Sequence, residues 1–209
     1  MKKKIYLLAI VAFTVWSGCG FAVQKAMGLK KLKPLSTETI VKTAGEFGIP
    51  APQSYVLDTS WVSRFKDGTS VNGADVKDDL QKNHLQPLQA SYYNNEGKLI
   101  SFQVNCYAGG FPNLNWTRDS IFSSFPPRTQ APADTLITLE EHLKFLRPLN
   151  GASAATAGNG YTIVVHWTRF MGRQTELFLK TVHENAKLNG ASDSKFIYVN
   201  CDNMFLLGK

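Results

Sequence analysis

The sequence predicts one α/β domain built on a mixed sheet with helices on its faces, and three observations predict it. Residues 161–202 read as strand, helix, strand: Tyr161–Val165 is an apolar run, Leu177, Phe178, Val182 and Ala186 keep helical spacing, and Lys195–Asp202 carries a second strand. Both strands are apolar on consecutive residues, as in parallel strands covered on two faces. Residues 88–107 alternate around Asn94–Asn95–Glu96–Gly97, the pattern of an antiparallel hairpin with glycine supplying a positive φ. Residues 150–160 are small and uncharged, a flexible internal linker by composition. The strand–helix–strand beyond it cannot bury both faces of its strands alone. The sheet must therefore draw strands from both sides of that linker, within a single domain spanning 36–209.

The elements follow in order. Ser36 or Thr37 suits an N-cap for a helix over 38–47, which Gly48 and Pro50 end. Ser54–Asp58 is a short strand, and the aromatic stretch with Trp61 and Phe65 has no assignable pattern. Asn72 suits the cap of a helix over 74–82, with Asp75 in its first turn. In the hairpin, Ile100, Phe102, Val104 and Cys106 alternate with Ser101, Gln103 and Asn105, which predicts one buried face. Residues 108–134 are rich in Gly, Pro and Asn, with Phe111, Trp116, Phe122 and Phe125 placed to line a groove or to cover the core. Thr138 and Glu141 have capping-box spacing and start a helix before Pro148.

The first residues carry a different message. Lys2, Lys3 and Lys4 precede an apolar stretch from Ile5 to Trp16, and Ser17–Gly18–Cys19 closes it. This resembles a bacterial lipoprotein signal, which implies removal of residues 1–18, lipidation of Cys19 and a tether over 19–35. The alternative is an uncleaved anchor running from Ile5 to Val23. The resemblance implies a cell-envelope location, anchored by lipid, and Gly20 in place of an inner-membrane retention aspartate favours the outer membrane, facing the periplasm. The chain of 209 residues carries a net charge of +7. Losing Lys2, Lys3 and Lys4, with no acid among residues 1–18, lowers +7 to +4. Lys25, Lys30, Lys31 and Lys33 follow the lipid site, as an anionic-surface contact or as a solvated tether. No later basic stripe is interleaved with aromatics, so nucleic acid is excluded as a partner.

Phe170–Met171–Gly172–Arg173–Gln174, between the strand ending at Trp167 and the following helix, is similar to the active-site turn of the thioredoxin-like superfamily. Aligned on that turn, Phe170 stands for the family tryptophan, Met171 and Gln174 for the two cysteines and Arg173 for the proline. A thioether cannot ionise and an amide cannot resolve a mixed disulfide, so this turn supports no dithiol chemistry. The resemblance implies a thioredoxin-like mixed sheet in a permuted strand order, because the hairpin precedes the strand–helix–strand and the chain ends seven residues after Asp202. It implies a redox-inactive binding or accessory module, for a protein or a small anionic ligand. Phe170, Met171, Arg169 and Arg173 are the candidate ligand-binding residues, and the simpler reading of Arg173 is a solvated surface cation offset by Glu176.

No catalytic residue and no cofactor is assigned. The rival reading is a thiol enzyme using Cys106 and Cys201, which an oxidising compartment would also allow to pair as a disulfide; a purely structural envelope lipoprotein is the third. His84, His142, His166 and His183 lack metal-ligand spacing. His166 reads as a core histidine, and His142 and His183 as helix-surface neighbours of Glu141 and Glu184. No Gly-x-Ser-x-Gly or phosphate-loop motif occurs.

Overall fold

A computed structural model describes residues 28–66, 78–107, 115–116, 118–149, 151–188, 190–191 and 193–207. Its centre is a six-stranded mixed sheet flanked by helices. The strands are β1 (Ser54–Leu57), β2 (Gln89–Tyr93), β3 (Leu99–Val104), β4 (Leu146–Pro148), β5 (Thr162–Trp167) and β6 (Lys195–Asn200), in the order β3-β2-β5-β6-β1-β4. β5, β6 and β1 run parallel, whereas β2 is antiparallel to β5 and to β3, and β4 is antiparallel to β1. The sheet thus takes strands from both sides of residues 150–160, as expected.

The helices are α1 (Thr37–Glu46), α2 (Ser60–Lys66), α3 (Asp78–His84), α4 (Leu139–Lys144) and α5 (Arg173–Asn185). Two carry the caps their sequences announce: Ser36 Oγ accepts from Thr39 N at 3.3 Å and Thr138 Oγ1 accepts from Glu141 N at 3.2 Å. The helix expected over 74–82 covers Asp78–His84 among the described residues, and its proposed cap Asn72 lies outside them. The unassigned stretch around Trp61 is α2. The helix after Thr138 ends at Lys144, short of Pro148, because Leu146–Pro148 turns back as an edge strand against β1.

Each face of the sheet has its own core. α1 and α5 cover one, where Trp167, Ile163, Val165, Tyr92 and Phe178 are buried. The opposite face buries Trp61, Phe65, Phe102, Val104 and Ile197. Three expectations are corrected here. Ser101, Gln103 and Asn105 are buried: residues 127–131 fold over this edge strand, where Ser101 Oγ donates to Pro127 O at 2.7 Å and Gln103 Nε2 to Arg128 O at 2.8 Å, while Asn105 Oδ1 accepts from Leu88 N at 3.1 Å. A register shift beside Tyr92 and Tyr93 also breaks the alternation, so Leu99 rather than Ile100 joins Phe102. The stretch 151–160 is not a free linker. Ala152 and Ala155 pack on the core, Tyr55 Oη donates to Ser153 O at 3.1 Å, and Lys195 Nζ to Thr156 Oγ1 at 2.6 Å. Its small residues permit close approach: a Cβ on Gly158 would lie 2.8 Å from Lys195 Cβ.

Candidate functional site

β5 ends at Trp167 and α5 begins at Arg173, so residues 168–172 form the turn that the sequence singles out. Thr168 is buried, and its carbonyl accepts Thr175 Oγ1 at 2.6 Å, tying strand end to helix start. Gly172 caps α5 with φ 51° and ψ −120°, a conformation that only glycine adopts without strain. An open turn here would offer free N–H groups to an anion. This one holds its own. Asp202, just past β6 and 2% exposed, accepts Arg169 N at 2.5 Å and Phe170 N at 3.1 Å, with Asn200 Nδ2 at 2.8 Å. Burial raises the Asp202 carboxyl above its ordinary range, against the opposing pull of those hydrogen bonds and of the Arg169 charge. Gly172, Gln174, Thr175 and Glu176 spend their amides inside the turn and first helical residues.

The turn is also covered. Lys30 N donates to Phe170 O at 2.7 Å, and Leu35 exchanges two bonds with Asn203, at 2.9 and 3.0 Å. Leu35 is buried and Leu29 packs against the same core. The tether expected over 19–35 therefore belongs to the domain from Gly28 onward. Contact is closest at two glycines: a Cβ on Gly172 would lie 1.9 Å from Gly28 O, and one on Gly28 2.8 Å from Arg173 Cβ. Gly172→Ala will lower stability by about 2 kcal/mol, from left-handed strain together with displacement of residues 28–30. An unchanged urea midpoint would show that Gly28 does not lie against the turn.

The four candidate ligand-binding residues are not assembled into a cleft. Met171 is buried in the core, Phe170 packs edge-on against Phe205 at 5.4 Å, Arg169 is half-buried, and Arg173 is exposed. Asp202 takes the Arg169 and Phe170 amides that an anion at this turn would otherwise use. Gln174, the second cysteine's stand-in, is 7% exposed. The aromatics of the long loop cover core, with Trp116 on Phe178 at 4.3 Å and Phe122 and Phe125 against the same cluster, and Phe122 also borders a surface groove. Asn185 Nδ2 secures the loop through Phe122 O and Ser124 O at 3.0 and 2.6 Å; Phe111 lies outside the described residues.

Cys106 and Cys201 are in no disulfide. They follow β3 and β6, which end at the same edge of the sheet but three strand spacings apart, roughly 14 Å. A disulfide needs Cα atoms within about 7 Å, so the proposed pair cannot form. Cys201 is 1% exposed, and burial, then Asp202, pushes its thiol well above the usual range, which leaves it unreactive.

Sequence spacing did not reveal a buried polar cluster on the opposite face. His84, His142 and His166, from α3, α4 and β5, all surround Trp61, which stacks on His142 at 4.6 Å and meets His166 at 5.5 Å and His84 at 6.3 Å. His142 Nε2 and His166 Nε2 are 2.9 Å apart, so one carries the proton and the other accepts it. Tyr93 Oη lies 2.9 Å from His142 Nδ1, His84 Nε2 pairs with Asp134 at 3.0 Å, and Trp61 Nε1 donates to His84 O at 2.9 Å. Burial lowers the His166 pKa to about 3 and His142 well below its usual value, with neighbouring histidines adding to both shifts. His166 is the core histidine expected. His142 is not a surface residue: it stands three positions from Leu139 on the inward side of α4 and is 1% exposed. His183 is half-buried, with Nε2 2.7 Å from Tyr198 Oη. Among the described residues no group of His, Cys, Asp or Glu could hold a metal ion, and no helix is long and apolar enough to cross a membrane.

Two open grooves flank α5. One, of about 450 Å³ between α1 and α5, is lined by residues including Phe47, Glu176, Lys180, His183 and Lys187. The other, of about 340 Å³, includes Phe122, Ser123, Asn185 and Leu188. No protein-family model, curated protein or solved structure matches the chain.

Proposed function

We propose that the chain is a lipid-anchored protein of the bacterial envelope whose thioredoxin-like domain carries no redox chemistry and serves as a binding or accessory module. The observation that carries this reading is the state of the turn before α5. Met171 and Gln174, where such a scaffold would hold its thiols, are packed into the protein, the Gln174 amide is bonded to Met171 O, and Asp202 takes the amides of Arg169 and Phe170. The parallel β5–α5–β6 unit, with an antiparallel hairpin beside β5, supports the thioredoxin-like reading; the hairpin's place earlier in the chain supports the permuted order. Recognition falls to the surface along α5, where the two grooves lie beside exposed Leu177 and Leu188. The Cys19 signal supports a lipid-anchored envelope location, and Gly20 supports the outer membrane, facing the periplasm.

The rival thiol enzyme is disfavoured by the separation of Cys106 from Cys201 and by the burial of Cys201. One set of measurements tests the proposal. Labelled palmitate should attach to the wild-type chain and not to Cys19→Ser, and the purified protein should not reduce insulin. Thiol titration of the native protein should find no pair of rapidly reacting thiols. Absent label, or insulin reduction that Cys201→Ser abolishes, would overturn the reading.

A further inference from the structure

We infer that the end of the domain carrying the closed turn is a membrane-docking surface, which seats on anionic lipid headgroups through Lys30, Lys31, Lys33 and Arg173. This rests on the lipid anchor at Cys19. Two independent features converge there. The first is chain length: Cys19 precedes Gly28 by nine residues, so at most about 32 Å of extended chain separates the lipid from the first described contact with the turn. Lys30 N is bonded to Phe170 O and Gly28 lies against Arg173, so the short anchor keeps this end of the domain near the bilayer.

The second feature is charge. Lys30, Lys31, Lys33 and Arg173 are all exposed, and residues 19–35 and 167–175 contain no acid. Arg173 stands about 140 positions from the lysines in sequence, yet its Cβ lies against Gly28, and Lys30 Cε would be 3.8 Å from a Cβ on Gly172. These four cations equal the entire +4 of residues 19–209, so the rest of that chain sums to zero. Asp202, the nearest carboxylate in the turn, faces inward to backbone amides; Glu38 and Glu176 stand further along α1 and α5. A cation at the start of α5 is mildly unfavourable for the helix. A headgroup partner gives Arg173 a reason to stand beside the segment that carries Lys30, Lys31 and Lys33, whereas a freely solvated tether would leave that approach without one.

Full-length protein extracted from membranes and reconstituted into phosphatidylcholine vesicles, with or without phosphatidylglycerol, provides the test. Hydrogen exchange of residues 28–35 and 169–173 should slow when phosphatidylglycerol is present, while β2 and β3 stay unchanged, and high salt should reverse the protection. Lys31→Gln and Arg173→Gln, both at exposed positions, should each lower the docked-to-undocked ratio about fivefold, and together about 25-fold. Exchange equal on the two vesicles, or protection on another face, overturns docking while the anchor stands. A chain that takes up no palmitate at Cys19 overturns the anchor and the docking together.

Discussion

Acid will unfold this domain through His142 and His166. Both have folded-state pKa values below the ordinary 6.5, His166 at about 3 and His142 well depressed, so the folded chain leaves them neutral while the unfolded chain protonates them. The sign follows directly. Their contribution to stability is fully present above about pH 6.5 and is lost as pH falls toward the folded-state values. Each group costs about 1.4 kcal/mol per pH unit in that window, and the pair about 2.7. Such a loss is a large part of the whole stability of many domains. His183, also lowered, acts in the same direction; Asp202, raised, opposes it as pH falls from its raised folded-state value to the ordinary carboxyl range. Urea midpoints measured between about pH 7 and pH 4.5 should fall steeply, and His166→Gln should make the slope shallower by removing one of the protons taken up on unfolding. A slope untouched by His166→Gln would mean that other groups govern acid unfolding.

That cluster also marks the boundary of what the sequence makes legible. Local chemistry reads well: Ser36 and Thr138 cap the helices they announce, Asn94–Gly97 turns the hairpin, and consecutive apolar residues in β5 and β6 correspond to buried parallel strands. The strand–turn–helix at Arg173 was equally legible, because it is contiguous. What closes the turn was not. Asp202 is 32 residues from Phe170, and Leu35 is 168 residues from Asn203, so no local pattern reports either bond. Polar residues misled for the same reason. Ser101 and Gln103 look solvent-facing until residues 127–131 arrive to satisfy them, and His142 looks like a surface residue until Tyr93 and His166 take both its nitrogens. The small residues of 151–160 read as a flexible linker, yet smallness there serves close packing against Lys195 and Asp193.

Trp61→Ala will cost about 3–5 kcal/mol, the largest effect of any single substitution argued for this chain. Trp61 is wholly buried and links elements far apart in sequence. Its ring stacks on His142 of α4, meets Phe65 at 4.8 Å within α2, and lies edge-on to Phe145 at 5.3 Å, while its Nε1 holds the carbonyl at the end of α3. Removing the ring opens a cavity beside three histidines, two of which carry depressed pKa values because that space is dry. Water entering the cavity would relieve part of their desolvation, so the loss should be largest near neutral pH and shrink in acid. Trp61→Phe keeps most of the packing and removes one of two donors to His84 O, which Gln89 Nε2 still reaches at 2.8 Å, so it should cost less, about 1–2 kcal/mol. Urea unfolding of both variants at neutral and acidic pH reads these differences. A Trp61→Ala penalty that does not shrink in acid would show that Trp61 does not keep the histidines dry.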